Sequence, residues 1–206
     1  MSTETPTLSL PSPAAWSTWL RGHHARSSGV YLRIPKVTKV RAAEAPKKPA
    51  LTYATALEAA LAWGWIDGHK RGLDADAWLQ RFTPRGPRSG WSKINCAKAE
   101  ALIADGRMQA PGLAEVERAK RDGRWGRAYD GARTSTLPDD LAAALARDAR
   151  ARAFFATLDG ANRYAILYRV QTAKRPETRA RRIETLVALC ARHETLHPPR
   201  RKAPAR

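Results

Sequence analysis

The chain has 206 residues and carries 37 Lys and Arg against 19 Asp and Glu, a formal charge of +18, with a pI near 10.9. A hydrophobic content of 43% excludes wholesale disorder, and no apolar run reaches the roughly 18 residues that a membrane-spanning helix needs. Cys96 and Cys190 are too few for a disulfide scaffold or a zinc finger, so a reducing, cytoplasmic setting is expected.

In chain order, residues 1–11 are polar and proline-rich and are expected to be disordered. Met1–Pro13 shows neither the basic nor the apolar region of a secretory signal. Ser12-Pro13 reads as an N-cap with a first-turn proline, and Trp16, Trp19 and Leu20 repeat at helical spacing up to Gly22. Residues 30–34 alternate as a strand, and the Lys/Ala/Pro-rich stretch 39–49 reads as an exposed loop. Thr52 caps a second helix with Leu57 and Leu61 on one face, closed by Gly64. Trp65-Ile66-Asp67-Gly68 turns the chain with room for a short strand, residues 78–83 read as a strand stopped by Pro84, and 84–90 as a loop. Ser92 caps a third helix that ends at Asp105-Gly106. Pro111 opens a fourth with Leu113, Val116 and Ala119 inward, ending at Asp122-Gly123. Trp16, Trp19, Leu57, Leu61, Trp63 and Ile66 are expected to form one core.

Beyond the irregular residues 124–135 the strand signals stop. Leu137, Leu141 and Leu145 sit four apart behind Asp139 and Asp140, which suit a helix first turn. The last helix opens at Pro176 with Ile183, Leu186, Val187 and Cys190 as its apolar stripe. The fold class is α+β: a small mixed domain with few strands over residues 12–132, then an all-helical domain over 133–193, with 194–206 disordered.

Little in the sequence carries recognisable catalytic chemistry. Gly86-Pro87-Arg88-Ser89-Gly90 fits no phosphate-loop pattern. His193 and His197 lack a third ligand, so no metal and no cofactor are expected. Cys96 and Cys190 read as buried apolar residues rather than nucleophiles, and no catalytic residue is assigned. Two places remain. Asp67, set among indoles, is either a structural acid paired with Arg81 or Arg85 or a carboxylate that grips a ligand. The stretch from Arg81 and Arg85 through Ser89, Trp91, Ser92, Lys93 and Asn95 combines guanidinium forks, hydroxyls, an indole and a helix N-terminus. Such groups bind small anions, or they pin a cationic loop into the core.

These stretches also carry a family likeness. Leu51-Thr52-Tyr53, Glu58 to Gly68, Arg81-Phe82-Thr83-Pro84-Arg85, Trp91-Ser92-Lys93-Ile94-Asn95, Gly106-Arg107-Met108, Gly123-Arg124-Trp125 and Ala173 to Arg179 together resemble the bacterial YdeI/OmpD-associated family, the bacteriocin-protection proteins. The likeness spans residues 12–192, and the helical part resembles the family's OmpD-associated region. It implies a role in stress or bacteriocin tolerance and supplies no catalytic residues.

Two functions compete. One is a non-enzymatic stress-protection protein with an anionic partner, such as nucleic acid bound without sequence reading. From Gly160 to Arg206 there are 12 Lys and Arg against 3 Asp and Glu. Lys174, Arg175 and Arg182 on the last helix, with Arg200, Arg201 and Lys202 in the tail, would meet phosphates. Arg179 lies on the apolar stripe and is expected to pair with a carboxylate. An Ala/Arg/Pro-rich composition also arises in a GC-rich genome with no such role, and no helix-turn-helix or RNA-recognition signature is present. The other function is a small-ligand binder or enzyme with a cleft around Asp67 and the Arg81 to Asn95 segment.

Overall fold

The computed structural model describes residues 5–36 and 50–198. The chain divides into two compact units, Met1–Ala128 and Tyr129–Arg206, and the architecture is α+β. The loop expected at 39–49 and the basic residues Arg200, Arg201 and Lys202 lie outside the described residues.

The first unit is built on a four-stranded sheet. Its strands are β1 (Thr7–Leu8), β2 (Val30–Pro35), β3 (Trp65–Gly72) and β4 (Ala77–Pro84), in the order β1-β2-β4-β3. β1 runs parallel to β2, and the other pairings are antiparallel. Helices α1 (Pro13–His23), α2 (Tyr53–Ala62), α3 (Lys93–Ala104) and α4 (Ala110–Arg121) complete the unit. The N-terminal stretch expected to be disordered contributes β1. The Tyr31 amide donates to the Pro6 carbonyl, and Leu8 and Leu10 pack on the core. Those two leucines supply the apolar area that a polar, proline-rich reading overlooks.

Local chemistry sets most helix ends. The Ser12 hydroxyl accepts the Ala15 amide, Thr52 and Thr55 form a reciprocal capping box, and Ser92 accepts the Asn95 amide. Gly64, Gly106 and Gly123 follow α2, α3 and α4 at φ +74°, +65° and +74°. Gly22 does not stop α1, which runs through it to His23. The short strand allowed for after Gly64 is present and runs to eight residues as β3.

Trp16 is fully buried at the meeting point of α1, α2 and the β3–β4 hairpin. Its Nε1–H donates to the Ala56 carbonyl, and its ring stacks on Trp19 and contacts Trp65 and Phe82. Leu57, Leu61 and Trp63 share this core, with Trp19 and Ile66 partly buried against it, as expected. Leu113 does not point inward but is 43% exposed. The buried stripe of α4 is Gly112, Val116 and Ala119, because Gly112 lets the helix backbone lie directly on the end of α2. There the Ala62 carbonyl also accepts the Gln109 amide.

The second unit consists of α5 (Asp139–Ala146), α6 (Ala149–Thr157), α7 (Gly160–Gln171) and α8 (Pro176–Ala191) around Leu141, Leu145, Phe155, Ile166, Val170, Ile183, Leu186 and Cys190. Asp148 and Asp159 cap α6 and α7. Leu137 precedes α5 and is 36% exposed, so it does not join the stripe of Leu141 and Leu145. Arg179 does pair with a carboxylate. Its Nε and Nη2 donate to the two oxygens of Asp140 at 2.5 and 2.8 Å, and its Nη1 donates to the Val170 carbonyl at 2.9 Å. One side chain thus ties α8 to the start of α5 and the end of α7. The chain after α8 is ordered through 198. The buried Asn162 amide exchanges hydrogen bonds with the His197 backbone, and Leu196 packs on the core.

All seven tryptophans lie before residue 128, so indole fluorescence reads the first unit alone. A methyl group at Gly112 would overlap the Ala62 carbonyl oxygen and the Met108 sulfur. Gly112→Ala is therefore expected to cost about 2–3 kcal/mol, and Trp63→Ala about 3–5 kcal/mol, both measured by urea unfolding followed through indole emission. In the second unit the hydrogen bond from Arg179 holds the Asp140 carboxyl below its ordinary range. Its contribution is full above the unfolded carboxylate pKa and is lost as pH falls through the lowered folded value. Asp140→Asn should weaken hydrogen-exchange protection of α5 and α8 by about 0.5–1 kcal/mol at neutral pH, since both partners are part-exposed. The difference from the parent protein should vanish in acid.

Candidate functional site

The residues singled out between Asp67 and Asn95 do not converge on one cleft. Strand register gives the reason. Asp67 sits opposite Phe82, which places it on the core face of the sheet with Val30, Leu32 and Ile34. Arg81 sits opposite Tyr31 on the other face, where its guanidinium lies over the Tyr31 ring and donates to the Thr5 hydroxyl at 2.8 Å. The expected Asp67 ion pair with Arg81 or Arg85 is therefore absent. Asp67 instead accepts the Tyr53 hydroxyl at 2.7 Å.

Arg85 is 5% exposed, with its guanidinium 3.6 Å from the centre of the Trp91 ring and Nη1 donating to the Gly90 carbonyl. Trp91 is itself 2% exposed, so Arg85 takes the stacking face that a ligand would have used. Ser89 accepts the Gly86 amide within its turn, and its carbonyl accepts Nη1 of the buried Arg124. Ser92 is occupied as the α3 cap, Asn95 is buried, and Lys93 is exposed at the first position of that helix. Most of this segment is a cationic loop pinned into the core.

A cavity remains around Asp67. It has a volume of about 320 Å³ and is lined by Tyr53, Asp67, Gly68, Lys70, Trp78 and Gln80. In a regular strand, residues three apart face opposite ways. A bulge changes this: Asp67 pairs with Phe82 and Lys70 with Gln80, so β3 spends one more residue than β4. Asp67 and Lys70 are thereby brought to the same face. Gln80 is buried, and its amide donates to the Gly68 carbonyl at 2.8 Å across the bulge. Tyr53, Lys70, Trp78 and Gln80 were not singled out from the sequence. The alternation of residues 78–83 does place Trp78, Gln80 and Phe82 on one face. The position of Lys70 depends on the bulge, which no sequence pattern marks here.

On the opposite face the Tyr31 hydroxyl and His69 Nε2 share a hydrogen bond of 2.5 Å, and the Arg71 guanidinium lies 4.6 Å from the Tyr31 ring centre. In the second unit a smaller hollow of about 210 Å³ lies between α7 and α8. It is lined by Arg169, Arg181, Arg182 and Thr185 over Leu186, Leu189 and Leu196. Arg182 Nη1 also donates to the Arg169 carbonyl at 2.6 Å. Lys174 and Arg175 are exposed in the turn entering α8.

Among the described residues no group of His, Cys, Asp and Glu is placed to hold a metal ion. Both cysteines are buried and free. Burial, with a smaller contribution from Glu100, pushes the Cys96 thiol up to about 11, and burial also raises that of Cys190. Neither is a thiolate at pH 8, where nucleophilic or redox chemistry would need one. Alkylation by iodoacetamide at pH 8, followed by mass spectrometry, is expected to label both thiols only as fast as their unit opens.

Residues 8–115 match the family profile described as Domain of unknown function (DUF8412), and residues 134–193 match the one described as Bacteriocin-protection, YdeI or OmpD-Associated. The N-terminal motifs through Asn95 fall within the first match, and Ala173 to Arg179 within the second. No curated protein and no solved structure matches the chain. Because the first match takes in more than half of its length, the chain belongs to the DUF8412 family, and over residues 134–193 it carries a YdeI/OmpD-associated, bacteriocin-protection domain.

Proposed function

We propose that this protein serves a bacteriocin- and stress-protection role in the cytoplasm as a non-enzymatic binder of a phosphate-rich polyanion, engaged through its C-terminal unit. The domain matched over residues 134–193 supports the protective role. The observation that carries the binding mode is the hollow between α7 and α8. Three arginines, Arg169, Arg181 and Arg182, line it with Thr185, and among the described residues no acidic side chain does. Like charges brought together without a counter-ion favour an anion between them, and a guanidinium fork matches phosphate oxygens. Lys174 and Arg175 extend the same charge along the chain, and neither is in an ion pair among the described residues. Arg200, Arg201 and Lys202 add three cations just beyond the described residues.

Binding of this kind neutralises phosphates and does not read bases. Affinity for duplex DNA or RNA is then about micromolar or weaker at physiological salt, and log K falls linearly with log salt. Fluorescence anisotropy with labelled duplexes should show little change when the sequence is scrambled. Arg181→Ala and Arg182→Ala should each flatten the salt slope by about one phosphate contact. Removing residues 199–206 should flatten it further while leaving the Leu196 and His197 anchors in place. A salt-independent affinity, or no binding of either nucleic acid at low salt, overturns the polyanion reading.

A further inference from the structure

We propose that the cavity around Asp67 is a binding site for a small zwitterion of the α-amino-acid type, with the ligand ammonium on Asp67 and its carboxylate on Lys70. This site lies wholly within the first unit and does not depend on the polyanion reading.

Three observations combine. First, the β3 bulge brings one carboxylate and one ammonium to the same sheet face, lining one cavity. The two are not paired with each other: the ion pairs of the described residues include neither Asp67 nor Lys70. Opposite charges that share a cavity without closing on each other leave room for a ligand carrying the complementary pair.

Second, the walls fix the acid in place. The Tyr53 hydroxyl holds Asp67 Oδ2, leaving Oδ1 as the acceptor for a donor in the cavity. The Gln80 amide clamps the bulge backbone through the Gly68 carbonyl. The acid and the backbone between it and Lys70 are thus held before any ligand arrives, which lowers the ordering cost of binding.

Third, the Trp78 indole Nε1–H is buried and has no hydrogen-bond acceptor among the described residues. A buried donor without a partner is costly, and it marks a place where an acceptor belongs. Trp78 lines the cavity together with Lys70, so a ligand carboxylate held by Lys70 would lie beside the indole. The volume of about 320 Å³ is at the small end of ligand pockets, which suits an amino acid rather than a nucleotide or an oligosaccharide.

The test uses the full-length protein and the indole N–H resonances of its seven tryptophans. The Trp78 signal is assigned by its loss in Trp78→Phe. The common L-amino acids are titrated individually to about 10 mM, the range in which a small polar ligand of modest affinity saturates. At least one is expected to move the Trp78 resonance saturably. Its amide, which lacks the carboxylate, and its N-acetyl derivative, which lacks the ammonium, should each bind at least about tenfold more weakly. Asp67→Asn keeps an acceptor for Tyr53 and Lys70→Gln keeps a polar side chain, so both should retain a dispersed amide spectrum while losing about tenfold or more in affinity. The proposal is overturned if no amino acid moves the Trp78 resonance. It is also overturned if binding survives both variants unchanged, or if the singly charged analogues or a neutral hexose bind as well as the zwitterion.

Discussion

The constraint that shapes this protein most is its excess of cations over acids. With 37 Lys and Arg and 19 Asp and Glu, carboxylates cannot neutralise every arginine, and the fold supplies backbone carbonyls instead. Arg85 donates to Gly90, Arg118 to Arg85, Arg124 to Ser89, Arg179 to Val170 and Arg182 to Arg169. A guanidinium suits this work, because its planar fork keeps several donors in fixed directions on a weakly hydrated ion. Carbonyls at helix ends and in loops are short of donors. An arginine that reaches one closes a polar group that burial would otherwise leave unsatisfied. In the first unit these bonds fasten the loop from Arg85 to Trp91, which has no strand ladder of its own.

That fastening accounts for much of a segment rich in anion-binding side chains. Arg85 lies on Trp91, Arg118 reaches the Arg85 carbonyl, and Arg124 is held by Asp122 and Ser89. Each of these cations already spends part of its donor set on a neighbouring carbonyl or carboxylate, and Trp91 is closed to solvent. Side-chain chemistry alone ranks Arg85 and Trp91 as ligand contacts, whereas their burial makes them a cation–π brace. Lys70 shows the reverse. A lysine on an exposed strand earns no notice from the sequence, and the bulge gives it a cavity.

Legibility follows the range of the interaction. Caps, glycine stops and the alternation of β2 and β4 are written within a few residues, and the sequence shows them: Ser12, Thr52 and Ser92 cap as read, and Gly64, Gly106 and Gly123 close their helices. The pairing of Arg179 was legible for a different reason: a charge on an apolar stripe must find a partner, though Asp140 itself could not be named. What was not legible depends on tertiary register. The Asp67 and Arg81 side chains are near in sequence terms but separated by the thickness of the sheet, and one residue of register decides that. The inward face of α4 was misjudged at Leu113 because Gly112 allows the Ala62 backbone an approach that hydrophobic periodicity does not describe.

Sorting arginines by whether their donors are committed also separates structure from function within one residue type. Arg179 spends all three guanidinium nitrogens inside its unit, on Asp140 and Val170, and has nothing left for a partner. Arg182 spends one on Arg169 and still lines the hollow, so replacing it removes a fold contact together with a surface charge. Arg181 lines the same hollow, and among the described residues its side chain is in no hydrogen bond or ion pair. A cation with no duty inside the fold keeps its rotamer freedom and its hydration, and gives them up only when a partner engages it. Charge count alone therefore overstates how much of the cationic side-chain set is left uncommitted by the fold. The part of the +18 available to a partner is carried by residues such as Arg181, Lys174 and Arg175, and not by the arginines that hold the loops and helix ends together.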